Sequence, residues 1–313
     1  MDERDQESTA AISIRTGDSL LSLGQYDDAR ACYMAAVAEA AKPGASGQMD
    51  YASLGTSMNA VGHCFFRQGR FDEAREWYER AAEAKEIVDP PVDHESRGVS
   101  LNQVGACLMQ MEKYDEAVPW LVRAAQAKEQ GDAQSRVNPE SLSNTLHHLG
   151  TSLAGMSQYD KAQGYFESAA QQAAKGDLQG RVDHESVGGS LNQVGFCLSR
   201  MKQFETARGW YERAAAEKEK GDVQGRVDND SVAISLNQVG YCLAGLGRLD
   251  EAVLWFERAA AAAQKGDVRG KVNQERVATI LGLRNQCLEH LKRAGQAAPG
   301  AGKAPDTDQK RSS

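Results

Sequence analysis

The chain has 313 residues, a formal net charge of −8, 7 prolines and 6% aromatic residues. The negative charge argues against a nucleic-acid backbone or an anionic membrane as the main partner, because both bind basic surfaces. No apolar run approaches the roughly 20 residues that span a bilayer, and the acidic start MDERDQESTA does not resemble a signal peptide, so we expect a cytoplasmic protein.

An internal repeat organises the chain from its beginning. Glycines recur in steps of 45, 43, 45, 45 and 45 residues at Gly17, Gly62, Gly105, Gly150, Gly195 and Gly240. We therefore predict a lead-in over residues 1–9 and six repeats over residues 10–274. A further step falls in a stretch with one helix only, residues 275–293, which we expect to cap the stack. Residues 294–313 lose the periodicity, and we expect them to be disordered.

Each repeat carries the pattern of two amphipathic helices. In the sixth repeat, Gly240 is followed by Leu249, Ala252 and Phe256, and these spacings place small and large apolar residues on one face of each helix. In the fifth repeat we expect helices over residues 184–201 and 205–219, the second ending before Gly221. Because one unit alone leaves its apolar faces in water, the pattern predicts an all-α stack of units.

The repeated segment resembles the tetratricopeptide repeat. The match is LNQVGYCLAGLGRLDEAVLWFERAA in the sixth unit, and its pattern recurs six times. The usual unit has about 34 residues, and the extended unit of this chain is similar to the repeats of kinesin light chains and of the polarity adaptors that orient mitotic spindles. The segment YDEAVPWLVRA resembles the second helix of a kinesin light chain repeat, including Pro119. The resemblance implies a right-handed superhelical solenoid whose first helices line a concave, peptide-holding groove.

A polar side chain stands three residues before most of the repeated glycines. Mid-helix asparagine has a below-average helix propensity, so its recurrence calls for a reason. By resemblance to kinesin light chains these residues face the groove and bind the backbone of an extended peptide. The alternative is that they join adjacent helices and hold the stack in register. The residues of this polar ladder are Asn59, Asn102, His147, Asn192 and Asn237.

The position that follows each glycine varies from unit to unit, as a binding surface does. Phe196 and Tyr241 are neighbours in this series, and aromatic residues are typical interface anchors. The alternative is packing on the next helix. The remaining candidates of this series are His63 and Thr151.

The other recurrent side chains favour structural roles. Five of the six cysteines share one phase of the repeat and are expected in the core rather than in disulfides. We expect the tryptophans, such as Trp210, to pack against the long loops, and Asp177 and Arg181 to form one of several loop ion pairs. His147 and His148 are adjacent on a helix and cannot share a metal. We find no catalytic constellation and expect neither a metal nor a cofactor.

These features predict an interaction scaffold or adaptor that is not an enzyme. Its groove takes a peptide or a helical segment of a partner protein, and the chain alone is expected to be a monomer. Two alternatives remain: a self-assembling structural solenoid, which light scattering would reveal, and a metal-dependent hydrolase, which metal analysis and activity assays would reveal.

Overall fold

The computed structural model describes residues 9–43, 49–87 and 93–297. These residues form thirteen α-helices and no strand. The first helices of the six units, here called A helices, are α1 (Thr9–Ser22), α3 (Tyr51–Arg67), α5 (His94–Gln110), α7 (Pro139–Gly155), α9 (His184–Arg200) and α11 (Asn229–Gly245). The second, or B, helices are α2 (Tyr26–Ala40), α4 (Phe71–Glu86), α6 (Tyr114–Gln130), α8 (Tyr159–Ala173), α10 (Phe204–Lys218) and α12 (Leu249–Ala263), and the last helix is α13 (Gln274–Ala297).

Each helix packs against the helix before it and the helix after it, which confirms an all-α solenoid of six units with a final helix. The helices of the fifth unit begin and end within one residue of the predicted bounds. α13 continues to Ala297, four residues beyond the expected end of the cap, because Ala294 and Ala297 favour helix. Most of the predicted lead-in and tail lies outside the described residues. Within them, no helix combines the length and the apolar character needed to cross a bilayer.

The two helices of each unit approach most closely at the repeated glycine. A Cβ atom built on Gly195 would lie 2.8 Å from the Tyr211 ring, and one built on Gly240 would lie 2.7 Å from the Phe256 ring. In the third unit Leu121 takes the place of the aromatic ring, and a Cβ atom built on Gly105 would lie 2.5 Å from its side chain. Tyr211, Phe256 and Leu121 are all buried. The glycine therefore provides the space that a large B-helix side chain fills.

Buried lysines form a second link, between consecutive units. Lys128 is 2% exposed, and its Nζ donates to the backbone oxygen of Ser141 in the next A helix at 2.9 Å. Burial lowers the pKa of Lys128 to about 8. Lys218 is also buried and donates to the Ser231 oxygen at 3.2 Å. The last turn of a B helix is thereby tied to the first turn of the following A helix.

A second glycine in the A helix makes room for each lysine. A Cβ atom on Gly98 would lie 2.6 Å from Lys128 Cγ, and Gly188 stands in the same relation to Lys218 at 2.5 Å. Units two, three and five have both residues, whereas units one, four and six have neither: alanine replaces the lysine in all three, and the glycine position holds Ala10, Ser143 and Ala233. Glycine and lysine thus occur together because the lysine stem needs the missing side chain.

The long loops have the expected turn chemistry. Gly176 follows the C-terminal end of α8 and has a φ of 81°, a conformation that glycine adopts without strain. Asp177 then accepts hydrogen bonds from the backbone of Gln179 and Arg181 and pairs with the Arg181 guanidinium at 2.5 Å. The same loop ion pair forms at Asp132 and Asp222. Asp267 instead binds the backbone N–H of Lys271, and no ion pair joins their side chains within the described part of the chain.

Two adjacent glycines of α9 test the close packing of the lysine stem. We expect Gly188→Ala to destabilise the fold by about 1–3 kcal/mol, because the new Cβ would lie 2.5 Å from Lys218 Cγ and 2.8 Å from the Ala214 backbone oxygen. Gly189→Ala is the matched control: nothing lies within 4 Å of its Cβ, so helix propensity should stabilise the chain by up to about 1 kcal/mol. Urea unfolding measures both. Equal effects of the two substitutions would contradict this packing.

Candidate functional site

The A helices of consecutive units lie side by side and form one surface, which we call the A-helix face. α5 and α7 contact each other directly. Between α7 and α9, His147 Nδ1 lies 3.2 Å from Ser190 Oγ, and between α9 and α11, Ser199 Oγ lies 3.6 Å from Cys242 Sγ. The predicted ladder and the variable positions both belong to these helices.

Two members of the polar ladder are used inside the stack. Asn102 is only 8% exposed, and its Oδ1 accepts a hydrogen bond of 3.0 Å from His148 Nδ1 in the next unit. His147 is linked to Ser190 of the following unit and also packs edge-on against the Phe166 ring. Both side chains therefore join adjacent helices, as the alternative interpretation of the ladder has it, and their binding of a ligand stays a prediction.

The other three members keep an unused acceptor. The Oδ1 atoms of Asn59, Asn192 and Asn237 are buried and have no hydrogen-bond partner within the described residues, although each asparagine as a whole is partly exposed. A buried acceptor left unpaired costs about 1–3 kcal/mol. Because these oxygen atoms are buried, no ligand touches them in this conformation, and only the partly exposed side-chain amides as a whole stay candidates for ligand binding.

A cleft of about 450 Å³ opens between α7 and α9. Thr151 and Phe196, both from the variable series, line it together with Arg200. The Arg200 guanidinium lies 5.1 Å from the centre of the Tyr159 ring and 5.8 Å from that of Phe196. Within the described chain Arg200 forms no ion pair, so an aromatic wall and a free cation face the same space.

A second cleft, of about 420 Å³, lies between α11 and α13. Asn237 lines it beside Gln238, Thr279 and Arg276, and Arg276 also pairs with a carboxylate of α11. Of the remaining candidates, the Tyr241 side chain is 54% exposed, whereas His63 is partly buried. The structure thus brings Thr151 and Phe196 together and places Asn237 in a separate cleft.

Burial lowers the pKa of three histidines in the A helices. It lowers the pKa of His148 to about 4, with smaller effects from the charges of His147 and Lys128. Burial also lowers the pKa values of His147 and His63. No group of three or more metal-binding side chains occurs in the described ranges. His147 and His148 point to different partners, as their adjacency predicted.

Sequence reasoning missed Arg200 and Tyr159. Tyr159 is the first residue of a B helix, and Arg200 is the last residue of the next A helix. Arg67 and Tyr26 occupy the same two positions three units earlier in the stack, with the guanidinium 5.4 Å from the ring centre. The signal in the sequence is this pairing of an arginine with a tyrosine 41 residues before it.

The buried histidine gives a stability that depends on pH. Because the folded pKa of His148 is about 4 and its usual value is 6.5, the unfolded chain binds more protons in this window, and stability falls as the pH falls through it. We expect the wild type to lose about 1–2 kcal/mol more than His148→Gln between pH 7 and pH 5. Urea unfolding at both pH values measures this difference. Parallel pH profiles of the two proteins would contradict it.

Comparison with known proteins agrees with the geometry. The tetratricopeptide repeat family matches residues 8–87 and 53–130, and a second model of the same family matches residues 233–265. No curated protein matches the chain. Among solved structures, BtubC (BKLC) from P. vanneervenii is 13% identical, with a TM-score of 0.58, and the match covers 97% of this chain and 98% of that one.

Two further structures share the fold. RapI in its apo form is 10% identical with a TM-score of 0.59, and the match covers 93% of this chain and 100% of that one. A putative kinesin light chain from Podosopora anserina with nearly identical TPR-like repeats is 19% identical with a TM-score of 0.53, covering 69% and 98% of the two chains. At these identities the likeness concerns the fold alone. The two family models, with the repeated motif and the helix pairs described above, identify the chain as a tetratricopeptide repeat protein, and its extended units resemble those of kinesin light chains.

Proposed function

We propose that the A-helix face binds a peptide or helical segment of a partner protein. Stacked helical repeats build protein-interaction scaffolds, because their repeated helices form one extended surface. The observation that carries the proposal is the cleft between α7 and α9, where Thr151, Phe196 and Arg200 meet. Its volume of about 450 Å³ admits one or two side chains of a ligand.

The residues of this face offer three kinds of contact to a ligand. Phe196 and Tyr159 offer an apolar anchor, since their rings meet edge to face at 6.2 Å. Arg200 offers a guanidinium whose N–H groups can bind a carboxylate. Asn192 and Asn237 offer partly exposed side-chain amides, which can pair with the N–H and C=O groups of a ligand backbone. A partner segment with its main chain along the asparagines and a side chain in the cleft satisfies all three.

We further propose that the chain acts as a cytoplasmic monomer and a binder rather than a catalyst. α13 buries Val277, Ile280 and Cys287 against the stack. Its opposite side is exposed and carries Glu289, Lys292 and Arg293. A charged outer face on the last helix disfavours end-to-end stacking of copies. Light scattering that shows concentration-dependent association would support the self-assembling alternative instead.

The side-chain amides of Asn192 and Asn237 provide the test of this proposal. We expect Asn192→Ala with Asn237→Ala to weaken binding of a partner protein recovered from the native host by about tenfold or more, because two hydrogen bonds of about 0.5–1.5 kcal/mol each are lost. The melting temperature should stay within a few degrees of the wild type, since neither acceptor has a partner in the described structure. Calorimetry of binding and of unfolding measures the two quantities.

Asn102→Ala is the matched control. Its side chain bonds to His148 within the stack, so we expect a lower melting temperature and unchanged affinity. If the double substitution lowers the melting temperature and leaves the affinity intact, the whole ladder is architectural and the proposal for these asparagines is wrong.

A further inference from the structure

A cavity of about 220 Å³ lies on the opposite side of the stack, between the B helices α8 and α10. Its apolar walls include Ala170 of α8, Val187 and Leu191 of α9, and Trp210 of α10. Protein interiors are packed to a density that leaves few voids of this size. Trp210 and Val182 of the long loop pack against the same buried cluster, and the packing of Trp210 on the loop itself stays a prediction.

Two glycines leave open space on the B helices that flank this cavity. Gly164 of α8 and Gly209 of α10 occupy the same position of consecutive units, in the middle of their helices. A Cβ atom built on either glycine would meet nothing within 4 Å. Glycine costs a helix about 1 kcal/mol relative to alanine, and nothing inside this chain needs the space. In the next unit the same position holds Leu254, which is 60% exposed.

Arginines stacked on tryptophans supply a positive charge at this surface. The Arg213 guanidinium lies 4.3 Å from the centre of the Trp210 ring, and that of Arg258 lies 4.1 Å from the Trp255 ring. Neither arginine forms an ion pair with any described residue, in a chain whose net charge is −8. The stack fixes each guanidinium while leaving its N–H edge available for an anion.

Two carboxylates also lie at the cavity. Glu167 accepts a hydrogen bond of 2.8 Å from Gln163. Glu217 pairs with Lys220 at 2.7 Å and with His184 at 2.8 Å. Glu217 thus has partners of its own, and neither carboxylate forms an ion pair with Arg213 in the described part of the chain.

We propose that this face of units four to six, formed by the cavity beside Trp210, the glycines Gly164 and Gly209 and the Arg213 and Arg258 guanidiniums, is a second docking surface for an acidic protein segment. One bulky apolar side chain of that segment enters the cavity. Its backbone passes close over Gly164 and Gly209, and its flanking carboxylates bind the two guanidiniums. The surface is separate from the A-helix face and does not rest on the function proposed for it.

A synthetic peptide serves as the probe: fifteen residues, capped at both ends, with one leucine flanked on each side by glutamates and a fluorescent label. We expect saturable binding by fluorescence anisotropy that weakens as salt increases. Arg213→Gln with Arg258→Gln should weaken binding about three- to thirtyfold, the range for two exposed ion pairs. A peptide with serine in place of the leucine should also bind more weakly, because the cavity then stays unfilled.

Matched variants separate this surface from general charge attraction. Arg80 and Arg123 form the same stacks on Trp77 and Trp120 in units two and three, so Arg80→Gln with Arg123→Gln removes equal charge elsewhere. We expect that control, and Phe196→Ala on the A-helix face, to leave the affinity within twofold of the wild type. Equal weakening by both arginine pairs, no dependence on the leucine, or no binding at all would overturn the proposal.

Discussion

The fold depends on the close contact between a repeated glycine of each A helix and a large side chain of the B helix in the same unit. The six contacts join Gly17 to Tyr33, Gly62 to Tyr78, Gly105 to Leu121, Gly150 to Phe166, Gly195 to Tyr211 and Gly240 to Phe256. A side chain at any of these glycines would push the two helices apart. Because every unit has the same contact at nearly the same interval, the units stack regularly, and their A helices align into one face.

The side chains that differ between units determine which contacts each part of the A-helix face can make. Asn102 and Asn192 lie in the same segment, LNQVG, yet their surroundings differ. Asn102 faces His148 of the next unit and bonds to it, whereas the corresponding residue of the unit after Asn192 is Gln238, with which it forms no bond in the structure. The lysines that tie units together vary in the same way, since Ala173 replaces the lysine in the fourth unit. The scaffold is uniform, and the functional differences are local.

The fold could be predicted from the sequence because its determinants repeat. The glycine interval, the helix ends near His184 and Lys218 and the loop pair of Asp177 with Arg181 are all read from one unit and recur in others. The site could be predicted only in part. Thr151 and Phe196 were identified by their variation. Whether Asn102 forms a hydrogen bond inside the stack depends on His148, which lies 46 positions later. Lys128 resembles a solvent-exposed helix residue in sequence, and only the glycine at position 98 reveals that it is buried.

Hydrogen exchange measured on the complex with a native partner protein tests the central claim most directly, because it reports which helices a ligand covers. Binding along the A-helix face predicts slower exchange of backbone amides in α7, α9 and α11, with the B helices α8, α10 and α12 little changed. Slower exchange confined to the B helices, with the A helices unaffected, would contradict the account of the A-helix face as the binding surface.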